Sequence, residues 1–162
     1  MTPGDIDPRR FRDLLGHYAS GLTVIAGIAG KTPVGFTCQS FYSVSLDPPL
    51  VSFCVNNGSK SWPQLRPAGT FSINLLAADQ AEISNGFAKS SGDRWSGIGR
   101  SPSPRGNPLI HGALAWFDCT LFAEHAAGDH SIVIGQVQAM SETNEVDPLL
   151  FYKGKYRVLE AL

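Results

Sequence analysis

Residues 35–55, GFTCQSFYSVSLDPPLVSFCV, contain two apolar segments separated by two consecutive prolines. Because side chains alternate along a strand, five of them share one face of the first segment: Thr37, Gln39, Phe41, Ser43 and Ser45. The opposite face is apolar except at Ser40, which predicts a bend near this residue. Short hydroxyl and amide side chains beside an aromatic ring suit a flat, polar heteroaromatic ligand. The alternative is the ordinary solvent-facing side of a half-exposed strand.

The segments around this stretch predict a mainly β protein. GLTVIAGI (21–28) and TPVGFTC (32–38) form a predicted hairpin around a turn at 29–31. Further strands are predicted at 50–55, 70–76, 113–125 and 131–140, with two short strands inside 149–159. Short strands separated by turn signals, with a few short helices, favour a β-barrel with helical decoration. The alternation of strands and helices typical of a doubly wound sheet is missing.

Two helices and one long loop complete the pattern. Asp7 before a proline predicts a helix that ends at Gly21. Asp79 and Glu82 predict a capping box that opens a second, short helix. Residues 89–112 are rich in glycine, proline and serine, which is typical of functional lids or disordered segments.

The composition bounds the class of protein. A length of 162 residues suits a single domain, here 1–162, and 43% hydrophobic residues predict a folded chain. The net charge of −1 argues against a nucleic-acid or anionic-membrane binder, and 17% charged residues favour burial of some surface in a partner subunit. Three dispersed cysteines without a CxxC motif, and no apolar segment after the N-terminal charges, predict a cytoplasmic protein with reduced thiols.

The common phosphate-binding and nucleophile motifs are absent from the sequence. GxGxxG, GxxxxGK[ST] and GxSxG do not occur. In 56–65, NNGSKSWPQL, Ser61 and Gln64 predict a capped helix whose free N–H groups, beside Ser59 and Lys60, form an anion site. A plain helix cap with a solvated lysine is the alternative. A nucleotide ligand would therefore bind without the usual fingerprints.

Six motifs in order resemble one family. They are GFTCQSFYSVSLDPPLVSFCV, SKSWPQL, TFSINLL, FAKSSGDRW, GDH at 128–130 and FYKGKY, within a correspondence from Phe11 to Leu159. The sequence resembles the short-chain flavin reductases, which are the small reductase components of two-component, flavin-diffusible monooxygenases. GFTCQSF is most similar to reductases that serve hydroxylases of aromatic or steroid-ring catabolism.

The resemblance implies a fold, an activity and partners. The fold is the FMN-binding split barrel of Greek-key type, in a homodimer with flavin at the subunit interface. The activity is reduction of FMN or FAD by NADH or NADPH, with release of reduced flavin to a partner flavin-dependent monooxygenase. The preferred flavin and the preferred nicotinamide stay open.

The resemblance also implies the residues of the site. The flavin ring and ribityl chain are assigned to Thr37, Gln39, Ser40, Ser43, Val44, Ser45 and Cys54. The phosphate or adenylate is assigned to Ser59, Lys60, Ser61 and Trp62, with Phe87, Lys89, Asp93 and Arg94 closing over it. Lys60, Lys89 or the backbone N–H groups from Val44 onward are candidates to stabilise charge on reduced flavin. Tyr152 and His130 match positions on the nicotinamide side.

His130 is the candidate catalytic residue. It lies in a turn between two long strands, where an imidazole can stack on or hydrogen-bond a nicotinamide. It can also act as an acid, since the ordinary pKa of histidine is about 6.5. The alternatives are a solvated turn histidine or one that is satisfied by Asp129. A metal site with His125 is not predicted, because no third ligand is spaced nearby.

Two other functions compete with reduction of diffusible flavin. A non-catalytic flavin- or haem-binding module on the same fold would hold its ligand tightly and show no turnover. A flavin-dependent oxidase of a small phosphorylated amine would need a more basic phosphate site than residues 59–61 offer.

Overall fold

The computed structural model describes residue 4 and residues 6–160. The helices are α1 (Pro8–Leu15), α2 (Trp62–Leu65) and α3 (Ala81–Ala88), with a 3-10 turn at Arg66–Ala68. The strands are β1 (Ser20–Gly21), β2 (Thr23–Ala29), β3 (Thr32–Cys38), β4 (Tyr42–Leu46), β5 (Pro49–Asn56), β6 (Thr70–Leu75), β7 (Arg100–Pro102), β8 (Pro108–Ile110), β9 (Ala115–Ala127), β10 (His130–Glu142), β11 (Leu150–Tyr152) and β12 (Lys155–Arg157). None of the helices in the described part of the chain has the length and apolar character needed to cross a membrane.

Seven antiparallel strands form the main sheet, in the order β3-β2-β6-β9-β10-β5-β4. The predicted mainly β class is therefore confirmed, and so is the break between β3 and β4. Among the described residues the ladder ends at β3 and β4 rather than closing, so the expected barrel is not visible as a closed hydrogen-bonded ring. Register shifts in the β9–β10 hairpin bend the sheet at Gly135, where a Cβ would lie 2.8 Å from the Phe71 ring.

Both faces of strand β2 are covered, because the sheet separates two cores. Ile25 joins a cluster in which the Phe53 ring meets those of Trp62 and Phe71 edge to face, at centroid distances of 5.4 and 5.5 Å. Val24 points the other way, into a second cluster with α3 and the segment after it. Burial on both faces explains the unbroken apolar run that opens this strand.

The predicted helix caps are only partly confirmed. Helix α1 begins as expected, with the Asp7 carboxylate accepting the Arg9 N–H at 3.0 Å. It ends at Leu15 instead of Gly21, because Gly16 caps it and the chain then enters β1. All of its side chains lie outside the core, so its apolar face is exposed.

The capping residues of helices α2 and α3 differ from those that the sequence predicts. The Ser61 side chain makes no cap hydrogen bond; Ser59 Oγ accepts the Trp62 N–H at 3.2 Å instead. Helix α3 has Gln80 at its N-cap position, so the predicted capping box at Asp79 is wrong. Gln80 Oε1 accepts the Ala77 N–H, which ties this turn to the end of β6.

The long 89–112 segment is ordered by contacts with the second core. Trp95 is buried and meets the Phe87 ring edge to face at 4.7 Å. The β7–β8 hairpin follows, and the Asn107 carboxamide at its turn donates to the buried Asp118 carboxylate at 2.8 Å. In this structure the segment is a packed covering of the sheet.

Candidate functional site

A groove of about 400 Å³ opens where the end of β3 meets β5 and the start of β10. Six residues assigned to the site from the sequence line it: Thr37, Gln39, Ser40, Cys54, Ser59 and His130. We call it the polar groove. Its lining residues run from Phe36 to His130 in the sequence, so the fold, rather than local chain geometry, assembles them.

Ser40 joins the two walls of the polar groove. Its hydroxyl oxygen accepts the Cys54 N–H at 2.8 Å and donates to the Cys54 carbonyl at 3.3 Å. Strands β3 and β5 are not neighbours in the sheet, so this bridge links two strands that share no backbone hydrogen bonds of the sheet. Thr37 is also engaged, since its hydroxyl donates to the Ser84 carbonyl at 2.6 Å. Ser40 and Thr37 therefore fix the walls of the groove.

Gln39 is one of two exposed carboxamide residues that line the groove, the other being Asn56. Its side chain makes no hydrogen bond to any described part of the chain, which leaves both donor and acceptor groups for a ligand. Asn56, at the end of β5, also lines the groove, and its carboxamide oxygen accepts the Gly58 N–H at 2.7 Å. Sequence reasoning missed Asn56 because it assigned the chemistry of 56–65 to residues 59–62; the Asn-Asn-Gly turn was the available signal.

His130 is oriented by its neighbour in sequence. Its Nδ1 lies 2.7 Å from the Asp129 carboxylate, and its side chain is 42% exposed. This hydrogen bond lowers the pKa of Asp129 below its ordinary value, so the carboxylate stays ionised and fixes the ring. With Nδ1 held, Nε2 is the ring nitrogen left for a ligand.

Arg94 lies behind the groove. Its guanidinium donates to the Gly35 carbonyl at 2.8 Å and to the Ser61 hydroxyl at 3.0 Å. The Asp93 carboxylate accepts the N–H groups of the two residues after Arg94, at 3.0 and 3.1 Å. Arg94 therefore ties the 89–99 segment to β3 and to Ser61, while Asp93 stabilises the turn after it. Asp93, Arg94 and Ser61 do not line the groove.

Two aromatic residues assigned to the phosphate region are buried: Phe87 and Trp62 are 1% and 5% exposed. Phe87 packs so closely on β3 that a Cβ at Gly35 would lie 3.0 Å from its ring. Trp62 donates its indole N–H to Glu124 at 3.2 Å, and it lines a cavity of about 280 Å³ that shares Ser59 with the polar groove. Neither ring lines the groove itself, and the assignment of both to the phosphate region stays a prediction.

The remaining assigned residues lie outside the polar groove. Ser43 lines a neighbouring, largely apolar cavity of about 390 Å³, and Val44 and Ser45 follow it on the edge strand β4. Tyr152 is on β11, edge to face with the His17 ring at 6.4 Å. Two exposed lysines, Lys60 and Lys89, also do not line the groove.

The polar groove fits an uncharged heteroaromatic ring. Its polar lining consists of hydroxyl, amide, thiol and imidazole groups, and Phe36 and Val55 supply apolar surface. No lysine or arginine lines it. Its volume is within the range of about 300–1,000 Å³ that ligand pockets of proteins occupy. An isoalloxazine ring, with a polar edge and apolar faces, matches this donor set.

Comparison with known proteins identifies the family. The flavin reductase like domain family matches residues 15–160. The chain is 45% identical over 157 residues to the reductase subunit HsaB of a flavin-dependent monooxygenase from Mycobacterium tuberculosis, covering 96% of this chain and 84% of that protein.

Two solved structures agree with this assignment. Nitrilotriacetate monooxygenase component B from Mycobacterium thermoresistibile is similar with a TM-score of 0.93 and 43% identity, over 97% of this chain and 89% of that one. The NADH:FAD oxidoreductase SgcE6 of Streptomyces globisporus, in complex with NAD and FAD fragments, has a TM-score of 0.89 and 32% identity, over 96% of each chain. The chain therefore belongs to the flavin reductase-like family, as its motifs predicted.

Proposed function

We propose that the protein is an NAD(P)H-dependent flavin reductase that supplies reduced FMN or FAD to a partner flavin-dependent monooxygenase. The observation that carries the proposal is the polar groove, which unites six sequence-assigned residues in a chain 45% identical to a monooxygenase reductase subunit. The NAD and FAD fragments named for SgcE6 support the two substrates.

The groove residues have distinct roles in this proposal. Flavin bound in the groove supplies the hydride acceptor. Gln39 hydrogen-bonds the polar edge of the ring, and Ser40 keeps the groove open through its bridge to Cys54. His130, held by Asp129, positions the nicotinamide through Nε2. Ser59, at the groove end nearest α2, contacts the ribityl phosphate, with Lys60 beside it.

We further propose a homodimer whose subunits are split β-barrels. Strand β4 is an edge of the sheet, yet three of its side chains are apolar and exposed: Tyr42, Val44 and Leu46, the last 91% exposed. An unpaired edge with exposed apolar side chains is typical of an interface. Ser43 and Ser45, which the resemblance assigns to flavin, are on the same strand but outside the polar groove. Since Gln39 lines both the groove and the neighbouring cavity that contains Ser43, the proposal extends the flavin past Gln39 toward β4 and the partner that covers it. The Ser40 bridge between β3 and β5 supports a barrel, since it joins the sheet near its two edges.

A steady-state assay that crosses both nicotinamides with both flavins tests the function. We expect the purified protein to oxidise NADH or NADPH only when FMN or FAD is added, and to retain little flavin on purification. A protein that retains flavin or haem tightly without turnover would be the non-catalytic module instead. Oxidation of NADH and NADPH at the background rate with both FMN and FAD would contradict the proposal.

Light scattering at defined concentrations tests the assembly. Leu46→Asp places a charge on the exposed edge strand, so we expect it to shift the protein toward the monomer. Leu159→Asp, at another exposed leucine away from β4, is the matched control. Identical masses for the wild type and Leu46→Asp would exclude this surface as the dimer interface.

A further inference from the structure

A second cavity, of about 790 Å³, lies between the end of α1 and the β11–β12 turn. Its lining includes Arg12, His17 and Lys153, with Asp13 as its acidic residue. We call it the basic trough. Gln39 lines both the basic trough and the polar groove, so the two cavities are adjacent. The flavin and nicotinamide roles proposed above do not use the trough.

The cations of the basic trough are not neutralised within the described chain. The ion pairs of the described residues are Arg66–Glu124 and Asp129–His130, and both lie elsewhere. Arg12 and Lys153 therefore outweigh the single Asp13 carboxylate. Such a cavity favours an anion.

Lys153 occupies a backbone position that disfavours lysine. Its φ is +49°, and Gly154 follows at +74°, so both central residues of this hairpin turn are left-handed. Asparagine-glycine is the usual pair in such turns, because asparagine tolerates this conformation better than lysine. The Lys153 N–H donates to the Gly16 carbonyl at 3.0 Å, which joins the turn to α1 and holds the side chain at the trough. Backbone strain of this kind occurs preferentially at ligand sites.

We infer that the basic trough binds the adenosine diphosphate part of a dinucleotide whose reactive ring occupies the polar groove. This inference rests on the proposed function. The diphosphate meets Arg12 and Lys153, and the adenine has the apolar surfaces of Leu15 and Phe151. The dinucleotide is the nicotinamide one, since the proposed function places the phosphate of the flavin at Ser59, which does not line the trough. Gln39 marks the connection between the two cavities.

Charge-removing variants of the trough test the inference. Lys153→Asn removes the ammonium group and supplies the residue that the turn prefers, so folding is preserved. Arg12→Gln removes the second cation. Lys155→Gln is the matched control, since Lys155 is exposed on β12 and does not line the trough. For each protein we would measure the dissociation constants of ADP, FMN and FAD, and the KM for NADH with FMN as acceptor.

In both trough variants we expect the ADP dissociation constant to rise about fivefold, the effect of losing one solvated charge–phosphate contact. The KM for NADH should rise with it, while the ratio of FAD affinity to FMN affinity stays constant. A changed affinity ratio with an unchanged KM for NADH would place FAD in the trough and contradict the inference. ADP binding within twofold of wild type in both variants overturns the inference, even in a protein that reduces flavin. Failure of flavin reduction with weakened ADP binding would instead count against the proposed function alone.

Discussion

The polar groove and the basic trough share Gln39 but differ in chemistry. Hydroxyl groups in the groove are already hydrogen-bonded within the protein, through Ser40 and Thr37, and its lining includes no lysine or arginine. The trough presents Arg12 and Lys153 without ion-pair partners in the described chain. The difference indicates a division of labour, in which a neutral ring is held by shape and amide contacts and an anionic group by charge.

Thiol labelling should give the largest contrast between the groove and the core. Burial raises the pKa of Cys119 to about 12, and burial also raises the pKa of Cys38. The thiolate is the reactive form of cysteine. At pH 8, a pKa near 12 gives Cys119 about a thousandfold less thiolate than a thiol with the ordinary pKa would have. Cys54 and Cys38 both line the groove, but Cys38 is buried and Cys54 is partly exposed. We expect iodoacetamide at pH 8 to label Cys54 alone in the native protein, as read by peptide mass spectrometry.

Flavin provides the control for this labelling. Saturating FMN should slow the modification of Cys54, because the ring covers the groove. Unfolding in urea should expose all three cysteines to the reagent. Labelling of Cys54 at the same rate with and without FMN would show that this residue lies outside the flavin site.

Replacement of the groove histidine should have the next largest effect. We expect His130→Ala to lower kcat for NADH-driven flavin reduction about tenfold to a hundredfold, because the nicotinamide loses its positioning contact. Flavin affinity, measured by fluorescence titration, should change little. His125→Ala, on the same hairpin, is the control and should retain the wild-type rate. Equal rates for the wild type and His130→Ala would make His130 an ordinary turn residue.

Ser40, at the bend, should differ in its effect from Ser43 and Ser45, which follow the bend. Ser40→Ala leaves the Cys54 N–H without its acceptor, so we expect a loss of about 1–3 kcal/mol in the free energy of unfolding. Ser43 and Ser45 make no such bridge, so Ser43→Ala and Ser45→Ala should retain stability and each weaken flavin binding by about 1 kcal/mol. Urea denaturation and flavin titration separate the two effects. Equal losses of stability in Ser40→Ala and Ser43→Ala would contradict the bridge.

The Asp129 carboxylate should have the smallest effect, because it acts through His130. We expect Asp129→Asn to lower kcat about threefold to tenfold, since a neutral amide orients the imidazole less firmly. In the His130→Ala background the same change should have no further effect, since the two residues then no longer interact. Activity that falls equally in both backgrounds would assign Asp129 a role independent of the histidine.

The hydrogen bond between Asp129 and His130 also predicts how kcat depends on pH. The pKa of Asp129 is lowered in the folded state, so its bond to His130 contributes above the ordinary pKa of aspartate. The contribution is lost as the pH falls through the lowered pKa. We expect the difference in kcat between the wild type and Asp129→Asn to be largest near neutral pH and to shrink in acid.

The sequence predicted the strands because each carries its own local signal, such as the apolar run of β2 and the turn at 29–31 that separates it from β3. It also predicted the polar row before the prolines, since those residues alternate within one short segment. It could not distinguish the core role of Phe87 from a ligand role, because burial depends on how α3 packs on β3. The basic trough was invisible for the same reason, since Arg12 and Lys153 are far apart in the chain and meet only through the Gly16 contact.

A crystal structure of the protein grown with saturating FMN tests the central claim most directly. The account predicts the isoalloxazine ring in the polar groove, with its polar edge at Gln39 and the His130 imidazole facing the ring. A ring bound elsewhere, with the groove between β3 and β5 empty, would contradict it.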